Sequence, residues 1–139
     1  MTDLSSESRQ AAIDLAIESR QRAYCPYSGF RVGAAVVGAD GSLFSGCNIE
    51  NCSFSLTNCA ERVALQSAIA SGVNQFSHLV VCSDGGVAPC GSCRQVLAEF
   101  APELEITLVD AQRPDQYRTV NLRELLPAPF SGDRLRDLQ

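Results

Sequence analysis

Apolar residues at Ile13, Ala16, Ile17 and Ala23–Tyr24 recur at helical spacing with charges between them, which predicts a first helix stopped by Pro26. Asp3, Ser5 and Ser6, in the polar lead-in Met1 to Ser6, are its candidate N-caps. Phe30 to Val37 is rich in valine and small residues and reads as a strand. Asp40-Gly41 signals a tight turn, and Leu43 to Cys47 is the returning strand. Asn48 to Thr57 is polar and loop-like. Asn58 is placed to cap a second helix with an apolar stripe at Ala64, Leu65, Ala68 and Ile69, ending at Gly72. Leu79 to Cys82 is wholly apolar, as a strand covered on both faces should be. Pro89 leads into a third helix lined by Val96, Leu97 and Phe100 and ended by Pro102. Ile106 to Val109 and Tyr117 to Val120 complete the strands. Asn121 caps a short helix, Leu122 to Leu126, closed by Pro127. The order α-β-β-α-β-α-β-β-α predicts an α/β fold, a three-layer α/β/α sandwich around a mixed five-stranded sheet.

Composition narrows the class. The 139 residues are 45% hydrophobic and 19% charged, which suits a single globular domain over 1–139. Eleven basic residues against 16 acidic give a net charge of −5. That balance argues against nucleic acid as a partner, since phosphate-backbone affinity needs clustered Lys and Arg. No basic-then-apolar leader opens the chain, and no apolar run reaches the roughly 20 residues that span a bilayer. The expectation is a cytoplasmic protein with no membrane partner, whose seven cysteines stay reduced.

Three of those cysteines sit where chemistry would put them. Pro89-Cys90-Gly91-Ser92-Cys93 carries a Cys-x-x-Cys pair, which reads as half a zinc site, a redox disulfide or coincidence. A redox pair typically follows the first strand of its unit, and this one follows the third, so metal is favoured. Cys59-Ala60-Glu61 is the second signal. Glu61 is explained as a reciprocal cap at the third helical position. Cys59 is not, and a thiol at a helix N-terminus feels the positive helix end, which favours the thiolate. Cys59, Cys90 and Cys93 together would give zinc three thiolates and leave a fourth position open, as in catalytic rather than structural sites. Three thiolates leave one excess negative charge, which helix ends and the neighbouring Arg62 or Arg94 can offset. A glutamate that is not a ligand, followed later by Pro-Cys-x-x-Cys, is the general signature of zinc deaminases.

The chain resembles the small homotetrameric cytidine deaminases of pyrimidine salvage. The blocks that carry the resemblance are Ala23-Tyr24-Cys25-Pro26-Tyr27-Ser28, Phe30-Arg31-Val32-Gly33-Ala34-Ala35, Asn48-Ile49-Glu50-Asn51, Cys59-Ala60-Glu61-Arg62 and Pro89-Cys90-Gly91-Ser92-Cys93-Arg94-Gln95. It implies one zinc per chain on Cys59, Cys90 and Cys93, and hydrolysis of cytidine or deoxycytidine to the uracil nucleoside and ammonia. Glu61 would be the proton shuttle. Asn48 and Glu50 would bind the ribose hydroxyls, Phe30 would pack on the pyrimidine, and Ala60 would contact the substrate. Arg62 would hydrogen-bond the zinc thiolates. Phe54 stands where the family often has Tyr, so a hydroxyl contact there is lost. Phe130 matches an aromatic that reaches a neighbouring subunit's site, which implies a homotetramer with sites near subunit interfaces. The segment Asp84 to Pro89 looks shorter than in many relatives.

Plainer readings stand beside these. Phe30 alone would be core, and Asn48 and Glu50 alone would be turn residues. Cys25, Cys47, Cys52 and Cys82 read as packing. His78, the lone histidine, reads as structural. A sister deaminase acting on a modified nucleoside, a nucleotide or nucleic acid is the nearest alternative. A non-catalytic zinc protein would need a fourth protein ligand from Cys52, Cys82 or His78.

Overall fold

The computed structural model describes residues 4–136. Its order is α1 (Ser6–Arg20), β1 (Val32–Gly38), β2 (Leu43–Cys47), a 3₁₀ turn (Phe54–Leu56), α2 (Ala60–Ala70), β3 (Phe76–Ser83), α3 (Gly91–Phe100), β4 (Glu105–Asp110), β5 (Arg113–Asn121), α4 (Leu122–Leu125) and α5 (Gly132–Arg136). The strands form one sheet in the order β2-β1-β3-β4-β5. β3 and β4 run parallel and every other neighbouring pair antiparallel, which is the mixed five-stranded sheet expected.

Alternation along each strand divides the core in two. Ala35, Val37, Val80, Cys82 and Val109 face Ala12, Ile13 and Ala16 of α1. Ala34, Val36, Leu79, Val81, Ile106 and Leu108 face α2 and α3 through Ala64, Leu65, Ala68 and Leu97. A residue on one face has neighbours two apart on the same face, so both layers are satisfied by one apolar run. Two glycines set how closely the helices lie. A Cβ at Gly33 would fall 2.0 Å from the Ala16 carbonyl oxygen, and one at Gly46 would fall 2.4 Å from the Ala64 nitrogen. Both contacts are to backbone, so α1 and α2 reach the sheet only because neither position carries a side chain.

Ser5 is the N-cap of α1, its hydroxyl accepting from the Ser8 amide at 3.1 Å. Asp3 lies outside the described residues. The helix ends at Arg20, six residues before the proline expected to stop it. Beyond it the backbone finds partners elsewhere: Tyr24 donates to the Asn48 carbonyl and Glu50 donates back to Tyr24. β1 starts at Val32, so Phe30 precedes the strand rather than opening it. β5 runs well past the expected Tyr117 to Val120, because it is an exposed edge strand with a polar sequence and little apolar pattern to read. Asn121 caps α4 in a full capping box with Glu124, and α5 was not expected.

Candidate metal centre and adjoining pocket

α2 begins one residue later than its capping pattern suggests. Cys59, not Asn58, is its N-cap, and Asn58 instead donates to the Gln66 side chain at 2.8 Å. Cys90 is the N-cap of α3 and Cys93 lies in its first turn. The two helices thus bring three sulfurs to their positive ends. The three Sγ atoms all lie within 4.8 Å of one another, with Cys90 and Cys93 3.5 Å apart. Sulfurs about 2.3 Å from a tetrahedral zinc are themselves about 3.8 Å apart, so the donor set fits that ion. Arg62 donates to the Cys59 sulfur at 3.0 Å and supplies the balancing positive charge.

Without metal the sulfurs share protons unequally. The hydrogen bond from the Cys93 thiol, reinforced by Arg62, pushes Cys59 down to about 5. The same hydrogen bond, with burial and the nearby Glu61, pushes Cys93 up. Metal binding must displace these thiol protons. Among the described residues the cluster of candidate metal ligands holds these three cysteines, and Cys52, Cys82 and His78 are not in it. The fourth protein ligand that a closed structural site needs is therefore missing from it.

Glu61 is the second helical residue of α2 and 5% exposed. Burial pushes its carboxyl up to about 7, and the Cys59 charge adds to this while Arg62 opposes it. Because Cys59 caps in an extended conformation (φ −79°, ψ 154°), helical periodicity does not separate it from Glu61. Both line one cavity of ≈ 280 Å³. Its walls include Phe30, Asn48, Glu50, Ala60 and Cys90. It falls just below the usual range of ligand cavities, roughly 300–1,000 Å³.

The polar wall is already committed to backbone. Asn48 is buried; its Oδ1 accepts from Val32 N at 2.9 Å and its Nδ2 donates to the Phe30 carbonyl at 2.7 Å. Glu50 accepts from the Tyr27 and Ser28 amides at 2.9 and 3.1 Å and from the Ser28 hydroxyl. The Ser28 hydroxyl first, then these amides, holds the Glu50 carboxyl below the usual range. Ser28, Val32, Thr57, Val81, Val87 and Ala88 also line the cavity, and sequence reasoning gave none of them a role. Val87 and Ala88 could have been suspected from their place just before Pro89-Cys90.

Two expected substrate contacts lie apart. Phe54 is 74% exposed and lines a neighbouring hollow with Tyr27, whose ring meets it edge-on at 5.9 Å. Phe130 is 68% exposed and lines neither space; its carbonyl accepts from the Gln95 side chain. All seven cysteines are free. Cys25 and Cys82 are buried, but Cys47 is half-buried and Cys52 exposed, so packing does not account for Cys52. His78 is buried with Nε2 3.0 Å from a Glu105 carboxylate oxygen, linking β3 to β4 near the starts of both strands.

Residues 6–107 match the family model described as the cytidine and deoxycytidylate deaminase zinc-binding region. A cytidine deaminase of Halalkalibacterium halodurans is 46% identical over 132 residues, covering 93% of this chain and 98% of that protein. One from Sporosarcina psychrophila is 46% identical over 121 residues, 85% and 88% of the two chains. The crystal structure of a cytidine deaminase from Burkholderia pseudomallei superposes with a TM-score of 0.83 at 44% identity, covering 91% of this chain and 100% of that one. With the three-sulfur cluster at the same two helix starts that carry the zinc-binding signature, this chain belongs to the cytidine and deoxycytidylate deaminase family.

Proposed function

We propose that this chain hydrolyses cytidine and 2′-deoxycytidine to the corresponding uracil nucleosides, releasing ammonia. The observation that carries the reading is a buried carboxyl, pushed up to about 7, on the wall of a small cavity that Cys59 and Cys90 of the three-sulfur cluster also line. Zinc, bound by Cys59, Cys90 and Cys93, supplies the Lewis acidity that makes water a nucleophile near neutral pH. Glu61 accepts the proton of the attacking water and delivers it to N3 of the ring. It then takes the remaining proton of the hydroxyl added at C4 and carries it to the amine, so that the C4–N bond breaks as the carbonyl forms and ammonia leaves. One carboxyl serves as base and acid, and a pKa of about 7 suits both tasks. Phe30 holds the pyrimidine, with Ala60 at the cavity wall. Asn48 and Glu50 hold the ribose hydroxyls through the hydrogen-bonding capacity that their backbone partners leave free.

The same reading takes the protein as a cytoplasmic homotetramer. Support comes from the free thiols, which suit a reducing compartment, and from the exposed apolar side chains of Phe54, Leu56 and Phe130. Among the described residues no helix is long and apolar enough to cross a membrane. An absorbance assay with cytidine, deoxycytidine and CMP, with and without a strong chelator, tests the proposal. Both nucleosides should lose their cytosine absorbance, CMP should react far more slowly, and chelation should stop turnover. Full activity in a metal-free preparation would overturn the zinc chemistry.

A further inference from the structure

The cavity has two rims that come from distant parts of the chain, and one side chain holds both. The first rim is the extended stretch Phe30–Val32. Asn48 holds the Phe30 carbonyl and the Val32 amide, and the carbonyl between them, that of Arg31, accepts from Arg20 Nε at 3.1 Å. The second rim is the link from β3 to Cys90, which carries Val87 and Ala88 into the cavity. Its first residue, Asp84, accepts from Arg20 Nη2 at 3.0 Å. The same Asp84 oxygen accepts from the Gln112 side chain at 3.0 Å, so the carboxylate is fixed from two directions.

Arg20 can do this because of where its backbone lies. It is the last residue of α1, and its Cα would be only 2.8 Å from a Cβ on Gly33. That close approach seats the base of its side chain on the sheet beside both rims. Its side chain is 22% exposed, against 51% for Asp84. A planar guanidinium can donate in two fixed directions at once, whereas an ammonium is a point donor on a flexible stem.

We propose that Arg20 is a positioning residue for the proposed deaminase: it ties the Phe30 rim to the loop that delivers Cys90, and so sets the cavity mouth. It neither lines the cavity nor joins the sulfur cluster. Its loss should therefore weaken nucleoside binding and metal retention together while leaving the chemical step nearly intact.

The test uses Arg20→Ala, Arg20→Lys, Asp84→Asn and the Arg20→Ala/Asp84→Asn double variant of the zinc-loaded protein. Two quantities are read: KM and kcat for cytidine, and the rate of zinc release to a chromogenic chelator. A lost charge-assisted hydrogen bond of this exposure corresponds to roughly a three- to tenfold effect. Arg20→Ala should raise KM and speed zinc release by about that factor, with kcat within about twofold. Arg20→Lys should not restore KM, since it keeps the charge but not the fork. The double variant should release zinc no faster than Arg20→Ala, because Arg20→Ala already removes the Arg20–Asp84 bond that Asp84→Asn weakens. KM and zinc release both within twofold of the unsubstituted protein would overturn the proposal, as would full recovery by lysine or multiplying effects in the double variant. If Arg20→Ala does not fold, Arg20→Lys and Asp84→Asn carry the same comparison. The KM arm rests on the deaminase reading and the zinc arm does not. Absence of turnover in the unsubstituted protein would thus fail that reading while zinc release still decides the role of Arg20.

Discussion

The metal wall and the proposed nucleoside wall of the cavity are built on opposite principles. The metal wall comes from two helix starts and concentrates charge: three sulfurs, a buried carboxyl and one guanidinium, each altering the others' protonation. The nucleoside wall comes from loops before and after the first two strands, and its polar groups are quieted by backbone hydrogen bonds. Groups on the first wall are left frustrated until something binds; groups on the second are fixed in advance. Frustrated, desolvated charge is what moves protons, and groups fixed in advance by hydrogen bonds are what orient a ligand. Substitutions on the first wall should therefore strike turnover, and those on the second should strike affinity.

The largest expected effect is Glu61→Gln. It keeps the shape and the three sulfurs but cannot carry a proton. Turnover should fall by about 10³-fold or more while zinc stays near one per chain and KM changes little. Near-normal turnover, measured by the fall in cytosine absorbance, would remove Glu61 from the proposed role and break the contrast at its centre.

The same substitution has a second consequence in the metal-free chain. Unfolded, Glu61 titrates near its ordinary 4.5; folded, it titrates near 7. Between those values the native state keeps a proton the unfolded state has lost, so stability falls as pH rises through that window. Above it the full penalty stands. Glu61→Gln carries no such penalty. Without metal it should therefore gain on the unsubstituted chain by on the order of 3 kcal/mol in urea unfolding between pH 4 and pH 8. A constant difference across pH would mean the carboxyl is not frustrated by burial.

On the nucleoside wall, Glu50→Gln should leave kcat within a few fold and raise KM by roughly tenfold, the scale of one lost charge-assisted contact. An amide cannot accept from the Tyr27 amide, the Ser28 amide and the Ser28 hydroxyl as the carboxylate does. A variant that loses kcat and keeps KM would erase the distinction between the walls.

The two walls also differed in how far the sequence revealed them. The metal wall was legible because helix starts and short spacings are local: Cys90, Cys93 and Cys59 sit within a turn of their helix N-termini, as their pattern implied. Even there the cap was misplaced by one residue, because Asn58 is a strong generic cap and only the fold shows it turned toward Gln66. The nucleoside wall needed the family blocks, since a polar loop has no periodicity to read. The strands of the buried sheet were legible as short apolar runs between turn signals, while β5 was under-read because an edge strand buries almost nothing. The tie from Arg20 to Asp84 joins residues 64 apart, a pairing that no local pattern encodes.

The smallest expected effect, and the one that probes the boundary of the nucleoside wall, is Phe54→Tyr. Within one chain the Phe54 ring is 74% exposed, touches Tyr27 edge-on and lines the hollow next to Glu50 and Thr57 rather than the cavity itself. A hydroxyl added to an exposed ring exchanges one solvated surface for another, and such changes stay within about 0.5 kcal/mol. If the working site is the cavity of a single chain, KM for cytidine should move by less than about threefold, with stability unchanged. In the proposed tetramer the exposed apolar side chains of Phe54, Leu56 and Phe130 are the surfaces available to be covered. Were a neighbour to close over this hollow, the new hydroxyl would gain a dry partner near Glu50, and KM would fall by about tenfold. Measuring KM above and below the concentration at which the assembly dissociates separates the two cases. A gain confined to the assembled form would extend the nucleoside wall across the subunit boundary, whereas the metal wall, built from α2 and α3 of one chain, would show no such dependence.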